Sequence, residues 1–329
     1  DESDGRFEEA AEPFNLIGFA ELRVRDLSLR SFAFAYDRKT LAAACKPLLL
    51  GNLLNRGYSR VVYVDADTLL LGRIDSVLRK LEDLSILLCP HRLRPPSGDG
   101  RVAADLGLLR SGTYNAGLLG VRDSEPARRF IDWWWNRLRR HCRNSPQDGL
   151  HFDQRWLDLV PGLFSGVGLV KDPEINVGWW NFDERPISIT DDVDNGVFGG
   201  CKLFHASGYE PDRPEGVSIH APWLSVEQNG PHAELFAHYR GLLEAADENQ
   251  VSRWSYAFGR FDNGVPIPDI ARDIYLDLGE SAGRFGDPFV TAPTTSFYSW
   301  LRQPAEAVGA RGAPISNLWF EIYGRRSDV

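Results

Sequence analysis

Three short apolar runs constrain the fold of this chain more than any other feature. Arg60-Val61-Val62-Tyr63-Val64, Ser85-Ile86-Leu87-Leu88-Cys89 and Gly117-Leu118-Leu119-Gly120-Val121 carry apolar residues without polar alternation. A strand covered on both faces reads this way, as in a parallel sheet. Helical periodicity fills the intervals. Leu41, Ala44, Cys45, Leu48, Leu49 and Leu53 recur at three- and four-residue spacing, with Gly57 as a stop and Pro47 as a kink or a fresh start. Residues 125–143 form the clearest helix, with Phe130, Trp134 and Leu138 on one stripe. Strands alternating with helices predict an α/β fold, a mostly parallel sheet flanked by helices. Further strands are expected over 167–170 and 197–204, a connector over 222–230 and a helix over 232–246. The tail beyond is loop-rich, with prolines and glycines throughout.

Composition narrows the function classes. The 37 Lys and Arg against 46 Asp and Glu leave a net charge of −9, which argues against nucleic acid as a partner. No apolar run reaches the roughly 18–20 residues of a membrane span, so no transmembrane segment is expected. Cys45, Cys89, Cys142 and Cys201 lie far apart in apolar settings and read as free thiols of a reducing compartment. The expected location is therefore cytoplasmic, in solution or at the inner face of the membrane. The first residue is Asp1 rather than Met, and the expectation drawn from it is a piece of a longer, multidomain chain.

The residues with chemistry gather at strand ends. Tyr63-Val64-Asp65-Ala66-Asp67 closes the first run, and in open α/β sheets ligands bind outside the carboxyl ends of strands. An extended backbone would point Asp65 and Asp67 to one side. Two such carboxylates repel unless a cation joins them, and oxygen donors select Mg²⁺ or Mn²⁺. The plainer alternative is a polar loop in which one Asp caps the next element. Phe204-His205-Ala206-Ser207-Gly208 ends a later strand. His205 reads equally as a loop histidine or as a third ligand that shifts the preference toward Mn²⁺. Tyr114-Asn115-Ala116-Gly117 opens a strand. Asp153-Gln154 pairs a carboxylate with a carboxamide, which suits sugar hydroxyls, although Asp153 could merely cap the helix that follows. Lys46 snorkels to solvent or reaches a diphosphate.

Taken in order, Lys46-Pro47, Asp65-x-Asp67, Asn115-Ala116-Gly117, Asp153-Gln154 and Phe204-His205-x-x-Gly208 resemble the retaining family 8 glycosyltransferases of GT-A fold. The likeness spans about residues 37–210. It looks closer still to bacterial glycosyltransferase-like domains of polysaccharide biosynthesis, through Asp153-Gln154-x-Trp156, Asn176-Val177-Gly178-Trp179-Trp180-Asn181 and Phe204 to Gly208. The resemblance implies transfer of a sugar from a nucleotide sugar, a UDP-sugar foremost, to a glycan acceptor with retained configuration. In it, Asp65, Asp67 and His205 hold Mn²⁺ or Mg²⁺ against the donor diphosphate. Lys46, Ala66, Ala116, Gly117 and Gly208 complete the donor site. Asn115, Asp153 and Gln154 line the donor sugar as catalytic residues, with Gln154 near the face opposite the leaving group. Trp179, Trp180, Asn181 and Arg185 form an acceptor wall or, alternatively, core. The resemblance divides the chain into a GT-A-like domain over 1–222, lacking the usual first strand–helix–strand, and a helical, loop-rich extension over 223–329. The other readings from the residues are a non-catalytic nucleotide- or sugar-binding domain and a metal-dependent nucleotidyltransferase or phosphohydrolase.

Overall fold

A computed structural model describes residues 13–25, 27–96, 101–189, 198–226, 231–246, 254–292, 294–308 and 314–319. By packing, the chain divides into two units: Asp1–Leu49 with Asn136–Cys142 and Ser255–Val329, and Leu50–Trp135 with Arg143–Trp254.

The second unit carries the sheets. Its strands are β1 (Arg60–Val64), β2 (Thr68–Leu70), β3 (Ile86–Pro90), β4 (Tyr114–Arg122), β5 (Asn144–Ser145), β6 (Leu150–His151), β7 (Val167–Leu169), β8 (Ile175–Val177), β9 (Ser188–Ile189), β10 (Phe198–Gly199) and β11 (Leu203–His205). A four-stranded sheet has the order β1-β4-β3-β7 and a three-stranded sheet the order β2-β11-β8. The α/β class, with sheets flanked by helices, is as the sequence predicts. The expected mostly parallel order is not found. β4 runs antiparallel to both β1 and β3, and only β7 runs parallel to β3. The reason is that burial on both faces yields an apolar run whatever the strand direction. All five residues of β3 are buried, yet its longest ladder is antiparallel.

β11 shows how two layers meet on one strand. Side chains alternate faces, so Leu203 joins the core with Val77, Leu81 and Leu118. Phe204 faces the opposite way, into a core with Leu235, Phe236 and Tyr239 of the helix Pro231–Ala246. Its ring meets Phe236 edge-on at 5.2 Å and Tyr239 at 5.9 Å. Burying such a ring stabilises the fold by about 2–3 kcal/mol. His205 returns to the Leu203 face and is 3% exposed.

Other expectations meet the structure at particular residues. β1 coincides with the first apolar run. Pro47 does not start a new helix; it lies inside one that is continuous over Arg38–Asn55. The strand expected over 197–204 is two short strands, because Gly200 turns the chain at φ +83. Residues 227–230 of the expected connector lie outside the described residues. The four cysteines are free. No described helix is long and apolar enough to cross a membrane.

The first unit is built around Phe34, whose ring meets Phe261, Tyr275, Phe289 and Phe297 at 5.0–5.8 Å. Arg272 is buried beneath them. Its guanidinium donates to the carbonyls of Phe34, Tyr36 and Phe258 at 2.7–2.8 Å. A short antiparallel pair, β12 (Pro304–Val308) and β13 (Pro314–Ser316), also belongs to this unit.

Candidate metal centre

Asp65 and Asp67 converge through a turn rather than along an extended strand. The Thr68 N–H donates to the Asp65 carbonyl at 3.2 Å, and the Thr68 hydroxyl donates to the same oxygen at 2.7 Å. This closes a four-residue turn between β1 and β2. The two aspartates are then fixed to different sheets. The Asp65 N–H donates to Gly117 of β4 at 3.0 Å, and the Ala206 N–H, just past β11, donates to Asp67 at 2.9 Å. Ala66 lies exposed at the tip of the turn. The Tyr63 hydroxyl donates to Asp65 Oδ1 at 2.8 Å and orients that carboxylate.

The pairing of β2 with β11 sets His205 opposite Thr68. One ligand atom from each of Asp65, Asp67 and His205 then falls within 4.8 Å of the others. His205 Nε2 lies 3.1 Å from Asp67 Oδ1, and Asp67 is 44% exposed, which leaves the cluster an open side. Two carboxylates and one imidazole form a hard, mostly oxygen donor set, which fits a divalent ion such as Mn²⁺ or Mg²⁺. Close room for the histidine comes from Gly117, where a Cβ would sit 2.2 Å from His205 Cε1. The Trp180 indole meets His205 edge-on at 5.2 Å and His91 at 5.5 Å.

Two carboxamides, the buried Asn115 and the half-buried Gln154, pair beside Gly117. Asn115 Oδ1 accepts from the Gly117 N–H at 3.0 Å, and Asn115 Nδ2 lies 3.3 Å from Gln154 Oε1. Gln154 Oε1 also accepts from the Ala116 N–H at 3.1 Å, and its Nε2 donates to the Ser111 carbonyl at 2.9 Å. The structure thus brings Asn115, Ala116 and Gln154 together, next to Gly117, which lies against the cluster's histidine. Asp153 is buried, but it does not cap the following 3-10 helix (Arg155–Leu159), where Gln154 occupies the cap position. Gly208 takes φ +74 against Ser218, whose hydroxyl oxygen would lie 2.6 Å from a Cβ there. Lys46 is buried in the helix Arg38–Asn55, in the portion assigned to the other unit.

Asn181 and Arg185 are interior residues, not a wall open to an acceptor. Asn181 is fully buried and Arg185 is 2% exposed. Asn181 donates to the carbonyls of His91 and Asn176 at 2.9 and 3.1 Å. The segment carrying them is fastened from both sides. Arg92 makes a two-pronged contact with Asp183 at 2.6 and 2.7 Å, and the Glu184 carboxylate accepts from the N–H groups of Leu93 and Arg94 at 2.9 Å. Sequence reasoning did not assign a site role to His91 or Asn176. Asn176 is fully buried at φ +61, a left-handed conformation that only burial and bonding disclose.

No family model matches the chain. The uncharacterized protein YfnF of Bacillus subtilis (strain 168) is 28% identical over 176 residues, 53% of this chain and 58% of that protein. The match therefore spans less than two thirds of the relative's length. Among solved structures, a crystal structure of galactosyltransferase LgtC in complex with donor and acceptor sugar analogues matches over 68% of this chain and 71% of that chain. Identity there is 17% and the TM-score 0.31.

Proposed function

We infer that this chain is a metal-dependent glycosyltransferase of GT-A type, transferring a sugar from a nucleotide sugar to a glycan acceptor with retained configuration, in polysaccharide or glycoconjugate assembly. The observation that carries this reading is the convergence of Asp65, Asp67 and His205 within 4.8 Å, from motifs 138 positions apart. An Asp-x-Asp turn and a strand-end histidine offer donors that would hold a divalent cation beside the phosphate oxygens of a donor. Asp65, Asp67 and His205 would hold the ion, which supplies Lewis-acid stabilisation of the leaving nucleoside diphosphate. Asn115 and Gln154 shape the neighbouring wall for the donor sugar, and Asp153 is assigned to the same wall. Lys46 and the acceptor enter only through the resemblance. The division at residue 222 is one of function, since every candidate site residue lies before it.

The test is nucleoside diphosphate release from a panel of UDP- and GDP-sugars, with Mn²⁺ or Mg²⁺ and with chelator. Release that needs metal and vanishes in Asp67→Ala supports the reading. Nucleotide binding without turnover across the panel would replace it with a binding domain. Release of phosphate or pyrophosphate would replace it with a nucleotidyltransferase or phosphohydrolase.

A further inference from the structure

The His205 ring is held at one nitrogen by a hydrogen bond and elsewhere by packing. Its Nδ1 lies 3.0 Å from Asn176 Oδ1. One such bond fixes an atom and leaves the ring free to pivot about it. Two contacts oppose the pivot. Cε1 rests on Gly117 of β4, so close that a Cβ there would lie 2.2 Å away. The Trp180 indole stands edge-on to the imidazole, with centroids 5.2 Å and planes 89° apart. A ring only 3% exposed and touched by both a strand backbone and an indole has little volume to move into.

The half-buried Trp180 is itself braced on several sides. Residues 178–181 form a four-residue turn. The Asn181 N–H donates to the Gly178 carbonyl at 3.0 Å, and the Gly178 N–H donates to Asn181 Oδ1 at 3.0 Å. The six-membered part of the indole lies on the Gly178 α-carbon, where a Cβ would come within 2.6–2.8 Å of Cη2, Cζ2 and Cζ3. Arg92 donates to the Trp180 carbonyl at 2.8 Å and grips Asp183 with the same guanidinium. The buried His91 ring meets the indole edge-on at 5.5 Å. His91 is in turn tied to the β4 end of the chain, with Nδ1 3.2 Å from the Thr113 carbonyl and Nε2 3.4 Å from Asn115 Nδ2. The indole nitrogen plays no part in this bracing. Its buried N–H has no hydrogen-bond partner among the described residues, a loss that a phenyl group would avoid. What the indole adds over phenyl is reach, since it touches His91, Trp179 and His205 at once.

We propose that Trp180 is a positioning residue of the candidate metal centre. Braced by Gly178, Arg92 and His91, its indole keeps the His205 imidazole in one orientation against β4. The purpose of that orientation rests on the metal-dependent reading above, but the bracing does not. A ligand ring set in place beforehand spares the ion the entropy of ordering it.

The experiment uses the full chain and two readouts. Order of the His205 ring is measured without metal by ¹³C relaxation at Cε1, the signal being assigned by its loss in His205→Ala. Mn²⁺ affinity is measured by titration calorimetry. The wild-type ring should be as ordered as the backbone around it. Trp180→Ala should loosen the ring and lower Mn²⁺ affinity about tenfold or more. Trp180→Phe, which keeps one aromatic edge, should fall between the two on both readouts. Phe182→Ala is the control. It removes a ring from the same segment, one packed on His232 and Phe236. It should lower the urea midpoint and leave ring order and Mn²⁺ affinity unchanged. A mobile His205 ring in the wild type overturns the proposal. So does Trp180→Ala with wild-type order and affinity, or Phe182→Ala losing both as Trp180→Ala does. Should the alanine variant not fold, Trp180→Leu takes its place with the same expectations. A wild type that binds no Mn²⁺ overturns the metal-dependent reading instead, and ring order alone then decides the bracing.

Discussion

Gly117→Ala isolates the geometry of the candidate metal centre in one methyl group. The new Cβ would lie 2.2 Å from His205 Cε1 and 2.8 Å from both His205 Nδ1 and Asn115 Oδ1. An ordinary contact begins near 3.4 Å, so the imidazole must retreat by about 1.2 Å. It has little room to do so, being 3% exposed with Trp180 packed edge-on at 5.2 Å. Metal–ligand distances tolerate only about 0.2 Å. Mn²⁺ affinity should therefore fall at least about tenfold, alongside an overpacking cost of about 1–3 kcal/mol. Gly120→Ala on the same strand is the control. Its Cβ would meet Leu81 and Leu87 at 3.1–3.3 Å, away from the histidine. It should lower stability while leaving Mn²⁺ affinity unchanged. Titration calorimetry with Mn²⁺ and urea unfolding measure the two effects separately. Equal Mn²⁺ affinity in the wild type and Gly117→Ala would refute the placement of His205 against β4.

Asp67→Ala and His205→Ala should each abolish Mn²⁺ binding by calorimetry while circular dichroism stays native, since Asp67 is partly exposed and either side chain can be truncated without a large apolar loss. The Arg92 guanidinium holds the Asp183 carboxyl below its ordinary value. The stabilisation is thus present above about pH 4 and lost as pH falls through the lower, folded value. Asp183→Asn should lower stability by about 0.5–1 kcal/mol at neutral pH, discounted for the exposed carboxylate, and by nothing in strong acid, as read by urea unfolding across pH. Arg272→Met leaves the carbonyls of Phe34 and Phe258 without their donor, while that of Tyr36 keeps the Tyr256 hydroxyl, and should cost about 2–3 kcal/mol in the same assay. Burial pushes the Cys89 thiol up to about 11 and Cys45 and Cys201 to about 12. Iodoacetamide at neutral pH should leave the folded protein almost unlabelled and modify all four cysteines in urea.

The sequence was legible wherever burial writes itself into composition. β1 and β3 stand out as apolar runs, and the helix Glu125–His141 declares its stripe through Phe130 and Trp134. Strand direction left no trace, because both faces of β3 and β4 are covered regardless of partner. β2 and β8 have three residues each, too few to show a period. Of the centre, Asp65, Asp67 and His205 were readable as motifs, while the turn that joins the aspartates was mistaken for extended chain. Asn176 was visible only as part of a segment. What marks it, burial and a left-handed backbone, leaves no trace in the residue letters. The first unit escaped notice because its parts, 1–49, 136–142 and 255–329, share no local pattern.

The turn at Asp65–Asp67 ties one end to β4 and the other to the strand end of β11. It is therefore a rivet through two sheets. This places unequal limits on how the sequence can drift. Loops between residues 71 and 202 can lengthen or shorten without moving Asp65, Asp67 and His205. A single insertion within 203–205 would turn His205 to the far face, and one within 68–70 would slide Thr68 off it. Relatives should then differ most in the length of those loops and keep the spacing of the two short segments to the residue.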